Sequence, residues 1–284
     1  MTNDTERLMT LLAAYLNAEA PGPALTEVES LARDCGIGTD EAYALLLAPL
    51  LGLDADRDDD WRLIRACLSP AVREVPAELV TEDPYLRLVG LPEGREGALT
   101  LTADTCPAMA LFVRDDFSYT PDGGMQPRLG WFRAPVRYPA LKERGRLWMT
   151  VTPNEIATIR PAAEAAHGRV LTYGLGLGYF VLHALLNPAV TGVTAVERSP
   201  EVIALFRRCL LPRFPRPEAL SIVRADAFDY AATHGEEFDY VFADLWHDAG
   251  DGLPLWHRLR ALERPGPEYR YWIEPTMRWY DGGA

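Results

Sequence analysis

The sequence predicts an α/β protein whose C-terminal half is a doubly wound, mostly parallel sheet, preceded by a small helical unit and a small antiparallel β unit. Three observations predict it. Short apolar strands alternate with helical segments after residue 145, as in parallel sheets with helices on both faces. A glycine-rich turn with Gly174, Gly176 and Gly178 follows the first strand. Acidic residues stand where the later strands end.

The pattern divides the 284 residues into a helical unit over 1–70, a β-rich unit over 71–144 and the α/β domain over 145–284. A chain of this length buries at least one full core. No apolar window approaches the ~18 residues that span a bilayer. The N-terminus, MTNDTERLMT, has no basic start followed by an apolar run. We therefore expect a cytoplasmic protein without a membrane partner.

Charge and cysteine usage exclude several classes of partner. The net charge of −13 repels phosphate backbones, which disfavours nucleic acid and is compatible with a cationic small molecule. The four cysteines lie far apart, with no CxxC pair. We therefore expect reduced thiols, no disulfide frame and no structural metal.

The first 70 residues carry apolar side chains at helical spacing, and Thr26 and Thr39 are candidate helix caps. The segment 29–47 has the rhythm of a helix-turn-helix. Its second helix carries Asp40 and Glu41, and the region holds five arginines against thirteen acidic residues. This charge disfavours DNA binding. A role in packing, as a lid or in a homodimer is the expectation that remains.

The middle of the chain predicts strands over 85–91, 98–104, 108–115 and 128–138. Asp122-Gly123-Gly124 predicts a hairpin or loop tip between the last two. These strands predict a small antiparallel sheet.

A bridging segment leads from this sheet to the glycine-rich turn. Trp148–Thr152 predicts a strand, and the Pro153 start predicts a helix running towards His167. Gly168 is expected to end that helix.

The glycine-rich turn follows a strand at Val170–Tyr173 and precedes a helix at Tyr179–Leu186. Glycines lack a Cβ, so a ligand can approach the backbone there. The N-terminal amides of the helix face the same gap.

Carboxylates end the next two strands. Glu197 comes 19 residues after Gly178 and stands where a carboxylate accepts both hydroxyls of a ribose, with a solvated strand-end charge as the alternative. Asp226, followed by Ala227, is placed either to accept from an adenine amino group, with the next amide donating to the ring, or to cap the helix near Phe228.

The fourth strand of the α/β domain, Phe238–Ala243, is apolar until Asp244, which is followed by Trp246, His247 and Asp248. An acid that emerges from a buried parallel strand faces the ligand crevice. Asp244 and His247 are the catalytic candidates, as groups that steer or deprotonate an acceptor. An ordinary surface or core histidine is the open alternative for His247. No ligand run predicts a metal.

The segments RVLTYGLGLG, TAVE, RADAF and FDYVFADLW, in that order, resemble the class I S-adenosylmethionine-dependent methyltransferases. The β unit followed by WMTVTPNEIATI also resembles the spermidine synthase branch of that superfamily. The resemblance covers residues 145–274 and implies a Rossmann-like fold that binds S-adenosylmethionine. The resemblance implies that Gly174, Gly176 and Gly178 lie along the methionine and ribose of S-adenosylmethionine and that Glu197 binds the ribose hydroxyls. It also implies that Asp226 and Ala227 contact the adenine and that Asp244 faces the transferred group.

Two departures from the family pattern bear on the reaction. Thr172 stands where family members often have an acid, and Leu175 and Leu177 stand where aminopropyltransferases carry an aspartate. The sequence therefore favours a methyltransferase acting on a small molecule over an aminopropyltransferase that uses decarboxylated S-adenosylmethionine. A non-catalytic adenosyl-binding or scaffold protein is a third hypothesis. A nicotinamide enzyme would need glycine where Tyr179 stands.

Overall fold

The structure is a computed structural model that describes residues 3–119, 124–234 and 237–282. Within the predicted loop tip, Asp122 and Gly123 lie outside the described residues. Among the described residues, no helix is both long and apolar enough to cross a membrane.

The chain forms two compact units. The first comprises residues 1–81 and 105–137, and the second comprises residues 82–104 and 138–284. Residues 71–144, which the sequence pattern groups as one β-rich unit, thus contribute to both compact units.

The α-helices are labelled in chain order. Their bounds are α1 Asn3–Asn17, α2 Leu25–Cys35, α3 Thr39–Leu50, α4 Asp58–Leu63, α5 Ser69–Ala71, α6 Glu78–Thr81, α7 Pro84–Val89, α8 Pro153–Ala165, α9 Tyr179–Leu186, α10 Pro200–Cys209, α11 Ala227–His234, α12 Ala249–Arg260 and α13 Glu274–Tyr280. A π-helical turn spans Ile64–Leu68, and 3₁₀ turns span Leu211–Arg213 and Pro217–Ala219.

The strands are labelled in the same way. Their bounds are β1 Val72–Glu74, β2 Gly94–Glu96, β3 Leu99–Cys106, β4 Phe112–Val113, β5 Ser118–Tyr119, β6 Met125–Gln126, β7 Leu129–Trp131, β8 Val136–Glu143, β9 Arg146–Thr150, β10 Gly168–Tyr173, β11 Val190–Glu197, β12 Leu220–Arg224, β13 Tyr240–Ala243 and β14 Glu268–Tyr271.

The second unit is built on a five-stranded sheet in the order β12-β11-β10-β13-β14, and each neighbouring pair is parallel. In β10, Thr172 pairs with Ala195 on one side and with Phe242 on the other. The order reverses between β10 and β13, which is where open α/β sheets bind ligands. The parallel sheet that the sequence pattern predicts is therefore present.

A four-stranded sheet, β2-β3-β8-β9, also belongs largely to the second unit. The strand predicted over 85–91 is wrong, because these residues form α7 and the turn after it. The carboxylate of Asp83 accepts from Tyr85 N at this helix start, and Pro84 takes the first helical position. Both features favour a helix start, and they outweigh the β-branched and aromatic residues that favour a strand in this segment.

The first unit packs α1, α2 and α3 around a shared apolar core, and Gly36 ends α2 in the left-handed region. The predicted helices are present, but both predicted caps are wrong. Helix α2 begins at Leu25, before Thr26, and α3 takes Thr39 as its first helical residue. A three-stranded sheet, β1-β7-β4, completes this unit.

The helix that begins at Pro153 is α8, and it ends earlier than the sequence predicts. It closes at Ala165, whereas Gly168 is the first residue of β10. Gly168 has φ +61, and a Cβ there would lie 2.4 Å from Asp239 Oδ2. Gly168 is thus required where the strand begins, next to Asp239, and it does not end the helix.

A substitution of Gly178 tests the packing under the glycine-rich turn. Its φ is +77, and a Cβ would lie 2.5 Å from a ring carbon of Phe206. Gly178→Ala is expected to reduce the free energy of unfolding by about 2 kcal/mol or more, from left-handed strain and overpacking. Gly192→Ala is the control, since its nearest contact would be 3.5 Å away. Equal stability of both variants in urea unfolding would contradict the described turn.

Candidate functional site

A cavity of about 420 Å³ lies in the second unit, where β10, β11, β12 and β13 end. Its lining includes every residue that the sequence predicts for the site: Gly174, Gly176, Gly178, Glu197, Asp226, Ala227, Asp244 and His247. The sheet therefore brings residues that are up to 73 positions apart in the chain to the wall of one cavity. What these residues bind is a prediction.

The glycines of the turn allow protein, more than ligand, to approach the backbone. A Cβ on Gly174, which has φ +97, would lie 2.3 Å from the carbonyl oxygen of Asp244. The corresponding position on Gly178 is filled by Phe206 and Phe214. At Gly176 the nearest atom is Met149 Sδ at 3.2 Å. The expectation that all three glycines make room for a ligand is therefore revised for Gly174 and Gly178.

Glu197 connects the end of β11 to the glycine turn. Its Oε1 accepts from Ser199 N at 2.8 Å, and its Oε2 accepts from Leu175 N at 3.3 Å. The side chain is buried and lines the cavity. An ionised carboxylate has about four acceptor positions, so both oxygens keep capacity for hydroxyl donors. The alternative for Glu197, a solvated charge at the end of the strand, is therefore wrong.

Asp226 caps a helix and also lines the cavity. Its Oδ1 accepts from Phe228 N at 2.9 Å and from Asp229 N at 3.3 Å. The capping alternative of the sequence analysis is thus observed at the start of α11. Ala227, the first residue of that helix, is buried at the cavity wall beside it.

Asp244 shares the cavity with Glu155, a residue that the sequence analysis did not select. Both are half-buried there. Burial raises the pKa of Asp244 to about 7, opposed by the nearby His247. Burial and then the charge of Asp244 raise the pKa of Glu155 well above its usual range. The charge of Asp244 thus acts on Glu155, and the two acids form an interacting carboxyl pair.

Glu155 carried a sequence signal that pointed to a different role. It follows Pro153 in the first turn of α8, where acids are common because they complement the helix dipole. The sequence could not show that this helix start faces Asp244.

His247 is exposed, with its ring oriented by a helix cap. Its Nδ1 lies 3.0 Å from Asp251 Oδ2, and the same carboxylate accepts from Asp248 N. Asp248 in turn accepts from Gly250 N and Asp251 N, which makes a capping box at the start of α12. The ring is thus held at the cavity rim, and Asp248 has a structural role.

The apolar wall of the cavity is largely aromatic. Its larger members are Trp148, Phe228, Trp246 and Trp272. Trp272 is fixed by a hydrogen bond of 2.8 Å from its Nε1 to Thr158 Oγ1. Such walls suit a nucleoside or another flat, partly apolar ligand.

Metal binding finds no support in the part of the chain that the structure describes, since no group of three or more His, Cys, Asp or Glu there is arranged to hold an ion.

Neither a family model nor a curated protein sequence matches the chain. Among solved structures, spermidine synthase from Thermotoga maritima is similar at 14% identity and a TM-score of 0.37, over 66% of this chain and 61% of that one. A spermidine synthase in complex with the transition-state analogue AdoDATO is similar at 14% identity and a TM-score of 0.37, over 66% of this chain and 60% of that one. Precorrin 8w decarboxylase of Methanobacterium thermoautotrophicum is similar at 17% identity and a TM-score of 0.29, over 39% of this chain and 56% of that one. The chain thus spans about 60% of the length of the synthases, and the fold assignment rests on its own strand order.

The raised pKa of Asp244 has a consequence for stability. The folded protein binds the proton of the Asp244 carboxyl more tightly than the unfolded chain does, because the pKa of this carboxyl is near 3.8 when the chain is unfolded. The stabilisation is complete below about pH 4 and is lost as the pH rises to about 7. The unfolding free energy of the wild type minus that of Asp244→Asn should fall by about 2–4 kcal/mol across this window.

Urea unfolding at a series of pH values measures this difference. Glu143→Gln, which removes a charge from an exposed side chain of the same unit, controls for a general charge effect. A difference between wild type and Asp244→Asn that stays constant from about pH 4 to about pH 7 would contradict the burial of this carboxyl.

Proposed function

We propose that this protein is an S-adenosylmethionine-dependent methyltransferase that acts on a small molecule, with the cavity of the second unit as its site. The observation that supports the proposal most is the convergence of the glycine turn with Glu197, Asp226 and Asp244 at four strand ends around one cavity. Each group matches a different part of an adenosyl ligand.

The residues fit the nucleoside part of that ligand. Glu197 is held by two backbone N–H groups and keeps acceptor capacity for ribose hydroxyls. Asp226 and Ala227 lie at the end of β12, beside the ring of Phe228 on the cavity wall. A carboxylate and an apolar ring together suit an adenine, through its amino group and its face.

The carboxyl pair and His247 lie where an acceptor would react. When bound, S-adenosylmethionine would supply a methyl carbon activated by its sulfonium. Transfer forms a bond from the acceptor atom to that carbon, the bond from carbon to sulfur breaks, and the acceptor loses a proton. Asp244, with a pKa of about 7, is suited to take that proton near neutral pH. Glu155 holds the second position of the pair, and His247 provides a further base at the rim.

The charge of the cavity favours a cationic acceptor. Among the described residues that line it, the acidic members are Glu155, Glu197, Asp226, Asp244 and Asp251, against Arg198 and His247. A positive ligand would be attracted by the ionised carboxylates and would favour the ionised forms of Asp244 and Glu155, whose pKa values burial raises. An amine or another basic small molecule satisfies this condition.

The same charge supports a second candidate, aminopropyl transfer from decarboxylated S-adenosylmethionine. That compound lacks the carboxylate of S-adenosylmethionine and is the more cationic of the two, so an acidic cavity favours it. Leu175 and Leu177 in the glycine turn stand against it, because they provide no acid to hold a second amine.

Isothermal titration calorimetry with S-adenosylmethionine, its decarboxylated form, S-adenosylhomocysteine and NAD separates these candidates. We expect S-adenosylmethionine and S-adenosylhomocysteine to bind. Either ligand at ~100 times its Kd should then raise the free energy of unfolding by about 2.7 kcal/mol. Tighter binding of the decarboxylated form would favour aminopropyl transfer. Binding of NAD alone would contradict both, and binding without transfer to any amine would favour a non-catalytic role.

Glu197→Gln tests the ribose contact. Its amide has a single acceptor oxygen, so it cannot serve Ser199 N, Leu175 N and two hydroxyls together. Affinity for S-adenosylhomocysteine is expected to fall about tenfold or more, since an unpaired buried polar group costs about 1–3 kcal/mol. Glu164→Gln, an exposed change on α8, is the control. Unchanged affinity in Glu197→Gln would remove this residue from the site.

A further inference from the structure

A tyrosine outside the cavity lining supports the glycine turn from behind. Tyr85, in α7, is fully buried, and its hydroxyl donates to the carbonyl oxygen of Leu177 at 2.7 Å. Leu177 lies in the turn between Gly176 and Gly178, and both glycines line the cavity. The turn therefore has a hydrogen-bond partner on the side away from a ligand.

The position of Tyr85 is fixed by Asp83, whose side chain is fully buried. Asp83 Oδ1 accepts from Tyr85 N at 2.7 Å and lies 3.2 Å from His183 Nε2. Its Oδ2 accepts from the Tyr179 hydroxyl at 2.9 Å and is paired with the Arg160 guanidinium. Since Tyr179 and His183 belong to α9, one carboxylate joins α7 to the helix that follows the turn.

This carboxylate stays ionised. Burial opposes its charge, but the bonds from His183, Tyr85 N and Tyr179 outweigh it and hold the pKa of Asp83 below its usual range. An ionised carboxylate only accepts hydrogen bonds, so the Tyr179 hydroxyl must donate to it. A buried ion pair of this kind is weak evidence for stability, and orientation is the role it fits better.

The ring of Tyr85 is also confined by its neighbours. It lies 5.7 Å from the ring of Tyr179 and 6.3 Å, edge to face, from that of Phe214. Phe214 fills the space at Gly178. The hydroxyl of Tyr85 thus meets Leu177 from a rigid aromatic cluster.

We propose that Tyr85 is a positioning residue that holds the turn 174–178 in the conformation that receives the adenosyl ligand. The inference rests on the proposed function for the identity of that ligand. A turn that is already ordered loses less conformational entropy when it binds. The hydroxyl of Tyr85 therefore raises affinity without touching the ligand.

Tyr85→Phe removes only this hydroxyl, and Tyr240→Phe is a matched control. Tyr240 is also fully buried, and its hydroxyl donates to a backbone carbonyl, that of Ala162, at the same 2.7 Å. Neither tyrosine lines the cavity. Both variants are expected to lose stability, since each leaves one carbonyl without its partner, and Tyr240→Phe also removes the hydrogen bond of the hydroxyl with Arg270.

Two measurements distinguish positioning from general stabilisation. Affinity for S-adenosylhomocysteine, by calorimetry, is expected to fall about tenfold in Tyr85→Phe, as one lost hydrogen bond allows, and to be unchanged in Tyr240→Phe. Amide hydrogen exchange at Leu175 and Gly178, without ligand, should accelerate only in Tyr85→Phe. Wild-type affinity in Tyr85→Phe, or equal loss in both variants, would overturn the proposal.

The exchange experiment also separates the inference from the proposed function. If the wild type binds no adenosyl compound, the proposed function fails, and the exchange rates alone decide whether Tyr85 holds the turn. Unchanged exchange at Leu175 and Gly178 in Tyr85→Phe would then overturn the positioning role as well.

Discussion

The site depends on the close approach of two parallel strands at Gly174. The carbonyl oxygen of Asp244 lies 2.3 Å from where a Cβ of residue 174 would stand, and Asp244 N donates to Tyr173 O at 3.0 Å. Any side chain at position 174 would push the end of β13 away from the end of β10. Because the strand order reverses between these strands, their contact defines the crevice and presents Asp244 to it. Gly174 is thus required for the close packing of the two strands.

The cavity concentrates acidic side chains in a site that is partly closed to water. Burying a carboxylate is unfavourable unless it is paired, protonated or bound to a positive group. Glu197 is buried and meets this requirement through backbone N–H groups, whereas Asp226 is exposed and accepts from backbone N–H groups while lining the cavity. Asp244 and Glu155 meet the requirement by holding a proton more tightly. The first pair is suited to recognition. Asp244 is suited to proton transfer, because its pKa of about 7 lies near neutral pH.

Local signals predicted the elements around the cavity well. Residues 179–186 were predicted as a helix and form α9. The glycine run and the acids at strand ends carry their information in short segments. The strand predicted over 85–91 was wrong because the Asp83 cap and Pro84 favour a helix start there. Glu155 was not selected because its burial against Asp244 is a tertiary property, and the support of the turn by Tyr85 joins residues 92 positions apart.

We propose that one adenosyl ligand occupies the cavity at the ends of β10 to β13. A crystal structure of the protein with S-adenosylhomocysteine tests it most directly. We expect the ribose hydroxyls on Glu197, the adenine beside Asp226 and Ala227, and the sulfur on the side of Asp244 and Glu155. A ligand bound elsewhere, or an adenine at the carboxyl pair with the sulfur at Asp226, would contradict the proposed site.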